Sequence, residues 1–68
     1  MNICLNGDLR DIPDTIVLVA QLFVYLDLDS AGRMLILNGE IYTKQVEYRQ
    51  LKICPEDAIE ILQFVGGG

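Results

Sequence analysis

Two Asn-Gly pairs, Asn6-Gly7 and Asn38-Gly39, constrain this 68-residue chain more than any other feature. A two-residue type I′ turn needs positive φ at both central positions, and Asn followed by Gly meets that need at least cost. Each pair lies between short apolar runs, so each predicts a β-hairpin. Before the first turn, Met1, Ile3 and Leu5 alternate with Asn2, Cys4 and Asn6, the pattern of a half-buried strand. Leu9–Ile12 returns as a short or bulged strand. Around the second turn, Arg33–Leu37 and Glu40–Tyr42 form the next pair, with Leu35 and Leu37 facing the core.

Between the hairpins, Pro13 stops the second strand and Asp14 or Thr15 is placed to cap a helix. From Ile16, the positions Ile16, Val19, Ala20, Leu22, Phe23 and Leu26 make one apolar stripe at helical spacing. Val17, Leu18, Val24 and Tyr25 lie off that stripe, as a wide core face or a partner surface. Leu28 packs the exit, and Asp29–Gly32 is a loop. The polar segment Thr43–Gln50 predicts one helical turn that tucks Val46 or Tyr48 under the sheet, with Leu51 plugging the same end. Pro55-Glu56-Asp57 is a turn, and Ala58–Val65 is the last strand, with Ile59 and Ile61 on one face.

The helix must cover one side of the sheet. After two hairpins and one crossover, the most economical sheet pairs the first strand with the last, in parallel. The expected architecture is α+β: a β-grasp (ubiquitin-like) mixed sheet of about five strands, with one main helix packed on one face. Residues 1–65 form this domain, and 66–68 are a flexible glycine tail. Three glycines have no side chain to pack and can carry the α-carboxylate of Gly68 roughly 10 Å beyond the fold. A channel too narrow for a Cβ would still admit them.

Composition narrows the function classes. A net charge of −5 argues against nucleic-acid binding and against anionic membrane surfaces. The longest apolar run, Ile16 to Val24, is interrupted by Gln21 and is too short to span a bilayer. The chain has no His, and Cys4 and Cys54 are too far apart for a CxxC motif, so no metal or dithiol site is expected. These cysteines read as small thiols of a cytoplasmic protein. Asp8, Asp11 and Asp14, and likewise Asp27 and Asp29, match no calcium-loop pattern and read as solvated charge. Lys44, Arg49 and Lys52 read as a solvated edge. Nothing in the chain composes an acid–base or nucleophilic apparatus of its own.

Several stretches together carry a resemblance. Leu5-Asn6-Gly7, Ala20–Asp29, Leu37–Ile41 and Asp57–Ile61 with Phe64-Val65-Gly66-Gly67-Gly68 are similar to the ThiS family, the ubiquitin-like sulfur carriers of thiamine biosynthesis. Three places depart from the family pattern. Glu56-Asp57 stands for the usual Gly-Asp, Asp27 for a glycine near the helix end, and Thr15–Leu18 is more apolar than is typical.

The resemblance implies a protein co-substrate rather than an enzyme. Gly68 would be the residue whose carboxylate is adenylated and then carries sulfur. Gly67, Gly66, Val65 and Phe64 would form the passage and partner-binding segment. It implies a ThiF-like adenylating enzyme that uses ATP, a thiazole synthase (ThiG-like) as sulfur acceptor, and a cysteine desulfurase as indirect donor. The carrier itself would bind no cofactor or metal and would be a monomer when free. Other readings stay open at this point. The molybdopterin-synthase small subunit also ends in Gly-Gly, another ubiquitin-like carrier or modifier would share the tail, and an acidic binding module would use no terminal chemistry.

Overall fold

The computed structural model describes residues 1–64. The strands are β1 (Asn2–Leu5), β2 (Asp8–Asp11), β3 (Arg33–Leu37), β4 (Glu40–Tyr42) and β5 (Ala58–Gln63). Helix α1 spans Val19–Tyr25, and a single turn, α2, spans Gln45–Tyr48. The five strands form one sheet in the order β2-β1-β5-β3-β4. β1 pairs with β5 in parallel and every other neighbouring pair is antiparallel. This is the expected β-grasp arrangement, with the last strand in the middle of the sheet.

Both hairpin turns have the backbone their sequence demands. Asn6 and Gly7 sit at φ 49 and 86, and Asn38 and Gly39 at φ 50 and 89. The strand limits shift slightly from the sequence reading: β1 starts at Asn2, β2 covers Asp8–Asp11, and β5 ends at Gln63 rather than Val65. Ile12 leaves β2 and turns inward, donating its N–H to the Met1 carbonyl at 2.8 Å. It is buried, whereas all of β2 is exposed.

The core lies between one sheet face and α1. Ile3, Leu5, Leu35, Ile59 and Ile61 come from the sheet, and Val19, Leu22 and Phe23 from the helix. Ile12, Ile16, Tyr48 and Ile53 close its edges. Of the two candidates in the polar segment, Tyr48 is the one that tucks under, at 1% exposure, while Val46 points out. Its ring stacks on Phe23, with centroids 5.2 Å apart and planes at 26°. Its hydroxyl lies 2.8 Å from the Arg33 carbonyl and 2.9 Å from the Tyr42 carbonyl, so its one proton is shared between the ends of β3 and β4. That need for a polar partner is why the deep position takes Tyr rather than Val.

The helix begins later than its apolar stripe. Leu18 is extended, at φ −121 and ψ 149, and forms an antiparallel bridge with Lys52. The Val19 N–H donates to the Leu51 carbonyl and the Ile53 N–H to the Val17 carbonyl, each at 2.9 Å. β-branched Ile16 and Val17 favour this extended state, and a strand partner was available for it. Asp14 and Thr15 therefore cap nothing. Gln21 instead reaches back, its Oε1 accepting the Val17 and Leu18 N–H groups at 2.9 Å each. Asp14 binds the Met1 amine at 2.7 Å, which raises the pKa of that amine and lowers that of Asp14.

α1 ends in a Schellman motif. Leu28 N–H donates to the Phe23 carbonyl at 2.9 Å, and Asp27 N–H to the Val24 carbonyl at 3.0 Å. This requires left-handed backbone at Asp27, which sits at φ 58. Glu56, after Pro55 in the turn closed by Asp57 N–H to the Cys54 carbonyl, sits at φ 70. These are the two positions at which the resemblance noted above implies glycine. A non-glycine residue in the left-handed region costs about 1 kcal/mol. Asp27→Gly and Glu56→Gly are each expected to raise the thermal midpoint by about 5 °C. Calorimetry checks this, and a lowered midpoint in both variants would contradict the strain assignment.

Candidate functional site

The residue expected to work, Gly68, and the passage residues Val65, Gly66 and Gly67 lie outside the described residues. Phe64 lies within them, so the described site is the mount from which that segment leaves.

The mount is β5. On one side it pairs with β3 from Ile59–Leu37 through to Gln63–Arg33. Phe64 N–H then donates to the Gly32 carbonyl at 2.9 Å, one step beyond the strand. On the other side, pairing with β1 covers only Cys4–Ala58 and Leu5–Ile59. The loop before β5 is tied down as well. Cys4 N–H donates to the Asp57 carbonyl at 2.9 Å, and the Asp57 carboxylate accepts from Cys54 N–H and from the Asn38 amide. Asn38 Oδ1 accepts the Ala58 N–H at 2.9 Å. At the other end, Asn6 Oδ1 accepts the Ile61 N–H at 2.8 Å.

Alternation divides the sheet into two faces. Ile3, Leu5, Leu35, Ile59 and Ile61 go to the core. The opposite face has no helix over it. It presents Met34 opposite Leu62 towards the end of β5, Ile36 between Ile41 and the exposed Glu60, and Leu9 opposite Cys4 towards the start of β5. Leu62 and Ile41 are 42% and 62% exposed, and Phe64, two residues beyond Leu62, is 50% exposed. Met34 and Ile36 are half-buried. An apolar band on an open face, next to the root of the terminal segment, has the character of a partner surface. The sequence reading left Val17, Leu18, Val24 and Tyr25 of the expected helix open as either a wide core face or such a surface. Val17, Val24 and Tyr25 are exposed there, and Leu18 is half-buried. The sheet surface was missed because its residues come from five strands whose register the sequence does not give.

On the helix side, a groove of about 370 Å³ opens at the same end of the sheet. Arg10, Arg33, Asn6 and Gln63 give it a polar rim, and Leu26 and Leu28 an apolar wall. Two of the chain's five cationic side chains therefore stand beside the end of β5. Among the described residues, no group of three or more His, Cys, Asp or Glu is placed to hold a metal ion. Both cysteines are free thiols, Cys4 half-buried and Cys54 exposed. No helix of the described residues is long and apolar enough to cross a membrane.

The comparisons with known proteins decide the family. The family model described as ThiS family matches residues 3–68, nearly the whole chain. The chain belongs to the ThiS family. A crystal structure of the thiamine biosynthesis protein ThiS from Geobacter metallireducens is similar at 28% identity, with TM-score 0.84 and full coverage of both chains. A solution structure of a thiamine biosynthesis protein from the same organism is similar at 27% identity and TM-score 0.78, with all of this chain and 88% of that one covered. No curated protein sequence gives a significant match. A ThiS-family chain is a small carrier protein of thiamine biosynthesis, not itself a catalyst. Of the two positions where the resemblance expects glycine, Asp27 lies in the turn after α1 and Glu56 in the turn before β5, at the opposite end of that strand from Phe64.

Proposed function

We propose that the chain is a sulfur carrier whose Gly68 carboxylate is activated by a ThiF-like adenylating enzyme. The carboxylate oxygen attacks the α-phosphate of ATP and pyrophosphate leaves, giving an acyl-adenylate. A carboxylate is a poor acyl donor, and AMP makes it a good one. The outer sulfur of a persulfide, drawn from a cysteine desulfurase, then attacks the acyl carbon and AMP departs, leaving an acyl disulfide whose S–S bond a thiol reductant cleaves, the thiol being oxidised to a disulfide. The product is a C-terminal thiocarboxylate, which donates its sulfur to thiazole synthase. No group of the carrier need perform acid–base chemistry in these steps, because ATP activation and sulfur addition occur in the partners' sites.

The observation that supports this reading best is the ThiS-family match running through to residue 68. The mount agrees with it: the segment leaves from the central strand of the sheet. Intact mass spectrometry tests the proposal. After incubation with ATP, the adenylating enzyme and a sulfur source, the mass should rise by one oxygen-to-sulfur exchange, located at Gly68. An unchanged mass with an enzyme that activates a known ThiS protein would overturn it.

The open-face band is the surface we assign to the adenylating enzyme, since Phe64 and Leu62 continue directly into the tail. Leu62→Asp would set an unpaired charge in the middle of that contact. It is expected to raise KM for the carrier by roughly 30-fold or more. The same substitution should leave the fold in place, because Leu62 faces away from the core. An unchanged KM would remove the sheet face as the docking surface.

A further inference from the structure

We infer that Asn6 is a positioning residue for the terminal segment, a role that rests on the carrier reading above. The parallel ladder between β1 and β5 has little length. After Leu5–Ile59 the Asn6 backbone N–H still donates to the Ile59 carbonyl, at 2.9 Å. The chain then turns away through Gly7. No further β1 backbone faces Ile61, which would leave that side of β5 without its next rung. The Asn6 carboxamide takes the place of a peptide group there. Its Oδ1 accepts the Ile61 N–H at 2.8 Å and its Nδ2 donates to the Ile61 carbonyl at 3.4 Å. A carboxamide offers an N–H donor and a C=O acceptor on separate atoms, as a peptide unit does, whereas a hydroxyl donates and accepts through one oxygen and a carboxylate only accepts.

Beyond Ile61, β5 is held only from the β3 side, through Gln63–Arg33 and the Phe64 N–H. Asn6 is therefore the last grip on the β1 side, three residues before Phe64. Asn38 does the corresponding work at the start of the strand, on Ala58. Each turn asparagine thus has two functions: it accepts positive φ, and its side chain holds one end of β5. The clamp at Asn6 orders the root of the tail before any partner arrives, so that cost is not met on binding.

Asn6→Gly separates the two functions, since glycine keeps the left-handed turn and removes the amide. Amide exchange is measured by NMR on this variant, on Asn6→Asp and on Asn38→Gly. In Asn6→Gly the Ile61 amide should exchange about tenfold faster relative to the Cys4 amide, which bonds to the Asp57 carbonyl. Asn6→Asp keeps the acceptor and should retain most of the Ile61 protection. With the adenylating enzyme and ATP, pyrophosphate release should show KM for the Asn6→Gly carrier raised about fivefold with kcat unchanged. Asn38→Gly, which loosens the far end of β5, should leave KM at the wild-type value. Equal acceleration at Ile61 and Cys4 would reduce Asn6 to a turn residue and overturn the clamp. Lost Ile61 protection with an unchanged KM, or with a fallen kcat instead, would overturn the positioning role. If the wild-type chain supports no pyrophosphate release, the carrier reading fails, and the exchange measurement still decides the clamp.

Discussion

A carrier lengthened by one alanine beyond Gly68 is expected to lose activation by more than about 100-fold and to keep its fold. The added residue converts the Gly68 carboxylate into an amide, which cannot attack ATP. It also moves the new carboxylate about 3.5 Å past the reacting position. Misplacement of a reacting group by even 1 Å can cost about 100-fold. The fold should be indifferent, because the core lies wholly within Ile3–Ile61. Pyrophosphate release and circular dichroism on the same sample check both halves. Activation retained within tenfold would rule out a mechanism that works at the Gly68 carboxylate.

The second large effect is on stability. Phe23→Ala is expected to cost about 3–5 kcal/mol. A domain of this size has a total stability of roughly 3–10 kcal/mol, so the variant should melt about 20 °C lower or be unfolded at room temperature. Phe23 is almost fully buried, and its ring supports Tyr48, whose hydroxyl in turn serves the carbonyls of Arg33 and Tyr42. Removing the ring thus loosens α1, α2 and the β3–β4 hairpin together. Val24→Ala on the same helix, at 79% exposure, should change the midpoint very little. A small shift for Phe23→Ala, under about 5 °C, would mean that the helix does not close the core as described.

What the sequence makes legible here follows from how local each cause is. The two hairpins could be read because Asn-Gly imposes its backbone within two residues. The place of β5 in the middle of the sheet could be read because two hairpins and one crossover leave few other arrangements. The start of α1 could not. Its limit is set by Leu51–Ile53, more than thirty positions away, whose backbone pairs with Val17–Val19 and holds Leu18 extended. The choice between Val46 and Tyr48 depended on two carbonyls that meet only in the folded sheet. The open-face band needed the β3 register, and the Asn6 and Asn38 grips needed the third dimension. Gly68 and its neighbours rest on sequence and family alone.

The sheet order has one more consequence, for the order of events in folding. In β2-β1-β5-β3-β4, the two hairpins touch no common strand except β5. Until residues 58–63 are available, the β1–β2 and β3–β4 units have no hydrogen-bonded link in the sheet, and pairing the chain's first strand with its last is the slowest kind of contact to form. The sheet therefore closes in one step, when β5 enters between the two hairpins, and its open face exists as a continuous surface only from that step onward.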